Sequence, residues 1–189
     1  MNISKLLYPP VKYTIHKKLP ECLFLHQYTD YANARVDKFT LIPTNKKHFG
    51  KWVIMKCFPE YIERDGKNNI PSLYIWRLIS NCSGNGFGTQ MLNFARNYSK
   101  RLGCNGYLHL SADGCYTPNR IPHIFYRKYG MSTQSTYIDK RIDKFIKKGK
   151  NATYRDFNTM DMFYPPIEHP KNKFEKFMTK VLKTLSGTK

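Results

Sequence analysis

Ser72-Leu-Tyr-Ile-Trp-Arg-Leu-Ile79 and, three residues later, Ser83-Gly84-Asn85-Gly86-Phe87-Gly88-Thr89 form the stretch that decides how this chain folds. The first part is rich in branched and aromatic residues and reads as a strand. Three glycines within five positions follow; they let the backbone turn sharply and approach a ligand with no Cβ in the way. Beyond them Met91, Leu92, Ala95, Tyr98 and Leu102 recur at helical spacing, and Gly103 stands where a helix C-terminus favours a left-handed residue. Residues 106–112 (Gly-Tyr-Leu-His-Leu-Ser-Ala) read as a short strand. Strand, glycine loop, helix and strand make one β-α-β unit, whose two strands should be parallel.

Working outward, Ala34 to Pro43 partly alternates and reads as a strand, and residues 51–62 read as a second, buried one. Polar connections at 44–50 and 65–69 join these to the strand at 72–79, so an antiparallel meander is expected before the β-α-β unit. Residues 1–22 carry Pro9, Pro10 and Pro20 and read as irregular. Pro122 opens a second helix running to about Tyr129 and ended by Gly130, and residues 159–164 form a late strand. There is no internal repeat and no domain boundary. The expected fold class is α/β (α+β), a single domain over 1–189 with a mixed central sheet. Its last part, 165–189, is expected to be a basic amphipathic helix.

Composition narrows the function classes. With 41% hydrophobic and 15% aromatic residues in 189, the chain can bury a real core and does not read as disordered. No apolar run approaches the roughly 18 residues that span a bilayer. Met1 to Lys18 lacks the apolar core of a secretion signal, and a cytoplasmic location is the expectation. The five cysteines include no C-x-x-C pair and read as reduced thiols, and the six histidines are not at metal-ligand spacing. No metal is expected. The net charge of +19 is the strongest compositional signal, since 32 Lys+Arg face only 13 Asp+Glu. Coding bias is one reading, since Lys, Asn, Tyr and Ile are all abundant, although it does not by itself deplete carboxylates; the other is a field that selects anionic partners, namely CoA, nucleic acid or a membrane surface.

The orphan N–H groups of a helix start point at an anion, helped by the helix dipole. A plain tight turn is the simplest reading of the glycine loop, although three glycines exceed what a turn requires. A Walker-type loop needs Gly-Lys-Ser/Thr, and Gly88 is followed by Thr89 and Gln90, so that reading fails. A dinucleotide fingerprint could begin with Gly84 and Gly86 and end with Asp113 on the ribose, in a nucleotide-binding oxidoreductase. Its third glycine, however, falls one position early, and a meander precedes the unit.

Ser83-Gly84-Asn85-Gly86-Phe87-Gly88 resembles the Gln/Arg-x-x-Gly-x-Gly/Ala signature of the GNAT superfamily of acyl-CoA-dependent N-acyltransferases, matching both glycines and departing at Ser83. A second segment strengthens the likeness. Asn119-Arg-Ile-Pro122-His-Ile-Phe125-Tyr126-Arg-Lys-Tyr-Gly130-Met131 is similar to the family's Asn-x-x-Ala-x-x-Phe-Tyr-x-x-x-Gly-Phe. Asn119, Phe125, Tyr126 and Gly130 fall in register. Pro122 replaces Ala, where the first helical turn needs no N–H donor, and Met131 replaces Phe. The likeness covers residues 73–131.

The resemblance implies an N-acetyltransferase in which a primary amine attacks the thioester carbonyl of acetyl-CoA (coenzyme A) directly and the thiolate departs. It implies that Tyr126 is the general acid beside the sulfur. Main chain from Gly84 through Asn85, Gly86, Phe87 and Gly88 to Thr89 would hold the pyrophosphate. Leu78 and Ile79 would pair with the pantetheine arm and polarise the carbonyl, and Asn119 would contact the cofactor. From periodicity alone, Tyr126 reads equally as a core tyrosine. The general base is open among Glu60, Glu63, His109 and His123. The cations at 140–150 read as a solvated face. The apolar face of Phe174, Phe177, Met178, Val181, Leu182 and Leu185 reads as packing on the domain, on a partner helix or on a membrane surface. So basic a chain fits an anionic macromolecular substrate such as tRNA or a ribosome-bound protein, rather than free polyamines. The same charge would also serve a non-catalytic nucleic-acid-binding module on this fold.

Overall fold

A computed structural model of the chain describes residues 22–31, 34–64, 66–114, 121–149, 153 and 156–167. The elements run β1 (Cys22–Tyr31), β2 (Ala34–Pro43), β3 (Val53–Arg64), β4 (Lys67–Ser80), α1 (Phe87–Arg101), β5 (Leu108–Ala112), α2 (Pro122–Tyr129), α3 (Thr136–Lys147) and β6 (Met160–Tyr164). The six strands form one mixed sheet in sequence order. Every neighbouring pair is antiparallel except β4 and β5, which are parallel because α1 carries the chain back across the sheet.

Alternation along the strands selects the inner face. Phe39 and Leu41 of β2, Val53, Met55 and Cys57 of β3, Leu73 and Ile75 of β4, and Leu108, Leu110 and Ala112 of β5 are all buried in one core. Against them α1 turns Phe87, Met91, Leu92, Phe94, Ala95 and Tyr98. Burying a side chain of this size stabilises by about 1.5–3 kcal/mol relative to leaving it in water. Tyr126 of α2, Ile142 of α3 and Met162 of β6 join the same core, so the three described helices share the inner face. On the other face, Leu23 and Leu25 of β1 and Trp76 of β4 are exposed.

Several boundaries differ from the sequence expectation. β1 adds a fourth strand to the meander; its Phe24 stacks on Phe94 at 4.6 Å and its His26 on Phe39 at 4.4 Å. β4 begins at Lys67, so the turn before it is shorter than 65–69. β5 begins only at Leu108, because Asn105 and Gly106 take left-handed backbone (φ 52° and 81°). The run at 140–150 is not merely a solvated face: most of it lies in α3, whose Ile138, Ile142, Phe145 and Ile146 pack on the core. Pro165, Pro166 and Ile167 are not helical, and the remainder of the expected C-terminal helix lies outside the described residues, as do residues 1–21. Among the described cysteines, Cys57, Cys82 and Cys104 are free thiols, and the Cys22 thiol donates to Gln90 Oε1 at 3.2 Å.

Candidate functional site

The parallel pair that carries the glycine loop is short. β4 and β5 pair only at Leu73↔Leu108 and Tyr74↔His109. Beyond Tyr74, β4 continues six residues to Ser80 with no partner on β5, while its other edge stays hydrogen-bonded to β3 as far as Val53↔Ser80. A bulge marks the parting. Lys56 pairs with Arg77 but Cys57 pairs with Ile75, which leaves Trp76 as the extra residue. Burial records the same break: Ile75 is buried, Trp76 and Arg77 are exposed in succession, and Leu78 turns back toward the core. A bulge bends its strand and re-aims the groups after it. The main-chain groups of Leu78 and Ile79 therefore lie on the edge of β4 that β5 leaves unpaired.

The glycine loop follows at the end of that unpaired edge. Gly84 and Gly86 both have φ 77°, a backbone that costs an L side chain about 1–2 kcal/mol. A Cβ at Gly84 would meet nothing within 4 Å, so its glycine serves the left-handed turn rather than a close neighbour. Gly86 is the N-cap of α1 and offers no side chain to the first turn, which also holds no acid. The free N–H groups of Phe87, Gly88 and Thr89 point out of the helix start, a ready anion site. Asn85 braces the loop by donating Nδ2–H to the Ser83 carbonyl at 2.8 Å.

The connection between β2 and β3, with its 3-10 turn at Lys46–His48, leans on this loop. Lys51 Nζ donates to Asn85 Oδ1 at 3.4 Å and to His48 Nδ1 at 3.2 Å. Partial desolvation and the nearby Lys51 and Lys47 charges hold the His48 imidazole below its ordinary value, which keeps it an acceptor for Lys51. Asn81, just past β4, accepts the Trp52 N–H at 2.8 Å and donates to the Gly50 carbonyl at 2.7 Å. A lysine ammonium thus stands beside the helix start.

The third glycine has a different task from the first two. Gly88 lies within α1, and a Cβ there would sit 3.0 Å from Phe125 Cζ. It is missing a side chain so that α2 can cross the first turn of α1. Tyr129 strengthens the crossing by donating its hydroxyl to Asn93 Oδ1 at 3.1 Å. Tyr126, the next residue after Phe125, is 7% exposed and belongs to the core. Burial pushes its phenol well above the ordinary value, so it holds its proton at neutral pH. Asn119 lies outside the described residues.

The structure sorts the candidate bases. His123 is fully buried on α2, where its Nε2 meets the Asn158 carbonyl at 3.1 Å and its ring stacks on Phe157. Burial lowers its pKa, and its setting is that of a core histidine. Glu63 is exposed near the far end of β3. His109 sits at the last paired position of β5, on the sheet face away from α1, stacked on Tyr74 at 4.8 Å. Its Nδ1 contacts Ser72 Oγ at 2.9 Å and its Nε2 is hydrogen-bonded to the Glu60 carboxylate. Burial lowers the His109 pKa, against the pull of Glu60 and Asp161. Both ring nitrogens are engaged, so His109 orients the Glu60 carboxylate, which is 38% exposed. The sequence reading missed Ser72 and Tyr74; the period-two pattern of β4 puts both on the face of its exposed residues, but the pairing with β5 that brings His109 to them is not visible in it.

Among the described residues no three His, Cys, Asp or Glu side chains are grouped as a metal would need, and no helix is long and apolar enough to cross a membrane. No family model matches this chain, and no curated protein or solved structure matches it significantly.

Proposed function

We propose that this chain is an acetyl-CoA-dependent N-acetyltransferase of GNAT type that acts on a primary amine. The observation that carries the reading is the parting of β4 and β5 beyond Tyr74, next to a helix start opened by two left-handed glycines. A thin extended arm with a pyrophosphate at one end fits this arrangement: the phosphates on the amides of Gly84 to Thr89, the arm along the unpaired edge of Leu78 and Ile79. Main-chain N–H groups on that edge would stabilise the oxyanion of a tetrahedral intermediate. The C–N bond forms as the amine attacks, and the C–S bond breaks as CoA thiolate leaves. Tyr126, kept protonated by burial, meets the departing sulfur as donor. The proton of the attacking amine passes to water at the open edge of β4. A doubly wound dinucleotide fold is disfavoured, since it needs successive parallel strands and β4–β5 is the one parallel pair among the described strands.

A thermal-shift panel of acetyl-CoA, NAD and NADPH tests the reading. At a hundredfold excess over Kd a ligand stabilises by about 2.7 kcal/mol, which at about 2–4 °C per kcal/mol for a domain of this size is a rise of about 5–11 °C. A rise with acetyl-CoA and not with NAD or NADPH is expected, and none with acetyl-CoA would sink the proposal. Acetyl transfer to a panel of amine-bearing peptides then reads Tyr126→Phe, which should lower kcat more than it weakens acetyl-CoA binding.

A further inference from the structure

Helix α3 separates its charges by sign. Its cations Lys140, Arg141, Lys144 and Lys147, with Lys148 at the C-cap, are all exposed. At about 100° per residue they fall, together with Tyr137, within an arc of about 120°. Tyr137 is 71% exposed in the first turn. The acids face elsewhere and are engaged. Asp139 is buried, accepting from the Thr133 N–H at 2.9 Å and Oγ1 at 3.0 Å and from Arg127 at 3.3 Å. Asp143 takes a bidentate pair from Arg127, both contacts at 2.8 Å, which holds its carboxyl below the usual range. Asp156, the nearby acid that feels Arg141, is tied to the Thr153 N–H at 2.7 Å and Oγ1 at 2.9 Å. The outward stripe is therefore positive without interruption, on a chain that already carries +19.

We propose that this stripe is a binding surface for the phosphate backbone of RNA. A 12-residue helix is about 18 Å long, enough for its cations to run beside several successive phosphates of one strand. The exposed Tyr137 ring adds a platform for an unpaired base. A membrane-surface helix is the competing use of such charge, but it needs an outward apolar face to enter the headgroups. The aliphatic residues of α3 and its Phe145 all turn to the core, which leaves Tyr137 as the one outward aromatic ring of the helix and no apolar face to insert. This surface is independent of the acyl-transfer reading and stands or falls by its own test.

The test is fluorescence anisotropy of a labelled 20-nucleotide single-stranded RNA between 50 and 200 mM salt. The full chain is compared with Lys140→Gln/Lys144→Gln/Lys147→Gln and with a charge-matched control, Lys46→Gln/Lys47→Gln/Lys67→Gln. Each phosphate contact contributes about 0.7 to the slope of log affinity against log salt, so losing three lowers it by about 2. Over that fourfold range the unaltered chain should lose about twentyfold more affinity than the α3 variant. All three proteins should melt alike, since every substituted side chain is exposed. An α3 variant that binds no differently from the control overturns the proposal. So does an unaltered chain that binds vesicles of anionic lipid and not RNA.

Discussion

Tyr98→Phe tests how α1, and with it the glycine loop, is fixed to the sheet. The Tyr98 hydroxyl donates to Asp37 Oδ2 at 2.8 Å, joining α1 to β2 across 61 residues of sequence. Asp37 is 3% exposed. Its other oxygen meets His26 Nε2 at 2.8 Å and accepts from Arg35 Nε at 3.1 Å and Arg35 Nη2 at 3.0 Å. Removing the hydroxyl leaves a buried carboxylate oxygen without its partner and barely changes the volume of the core. A hydrogen bond to a charged group is worth about 1.5–3 kcal/mol, so the loss of stability at pH 7 should be about 2 kcal/mol. For a domain of this size that is about 4–8 °C in Tm.

The pH dependence gives the sharper check. Burial opposes ionisation of Asp37, but the hydrogen bonds from His26, Tyr98 and Arg35 outweigh it and hold the folded-state carboxyl below its ordinary value. A depressed carboxyl stabilises the fold above its unfolded pKa of about 3.9, and that stability is lost as pH falls through the folded value. The difference between the unaltered chain and Tyr98→Phe, measured by urea unfolding from pH 7 downward, should hold steady to about pH 4 and shrink below it. A loss under about 0.5 kcal/mol at pH 7, or one that does not shrink in acid, would show that this network does not anchor the helix.

Three further outcomes follow from the site. Gly86→Ala forces a left-handed alanine at the N-cap of α1; it should cost about 1–2 kcal/mol in urea unfolding and reduce the acetyl-CoA thermal shift. Gly88→Ala puts a methyl group 3.0 Å from Phe125 Cζ, so about 1–3 kcal/mol of overpacking should exceed the roughly 1 kcal/mol gain in helix propensity. Adding Phe125→Leu should recover most of that loss, and no recovery would mean that Gly88 does not serve the helix crossing. Glu60→Gln replaces the charged partner of the buried His109 ring with a neutral amide and should cost about 1 kcal/mol in urea unfolding, with the acetyl-CoA thermal shift unchanged. No loss of stability would mean that this carboxylate does not hold the His109 ring.

Much of the fold could be read without coordinates wherever one short stretch carries its own reason. Pro122 and Gly130 bound α2 because proline suits a first helical turn and a left-handed residue suits the end, and Gly130 has φ 101°. The alternation of β2 and the glycines before α1 were equally local. β1 was not visible, because Leu23 and Leu25 on its outer face break the contrast between apolar and polar positions. In α3 the dense lysines drew attention from Ile138, Ile142, Phe145 and Ile146, whose helical spacing was present all along.

By itself the sequence determined the order of β2, β3, β4, α1, β5, α2 and β6, the sharp turn at Gly84 and Gly86, and the helix start that follows, since each depends on residues close together in the chain. Tertiary structure alone decided where β4 leaves β5, because the bulge at Trp76 is a matter of register between β3 and β4. It assigned Gly88 to the crossing of α2. It also set Glu60 and Ser72 on either side of His109, from 49 and 37 residues away. Side-chain periodicity says which face a residue takes, but not which strand lies alongside. The fold supplies that neighbour, and with it the hydrogen bonds that tie Glu60 and Ser72 to His109.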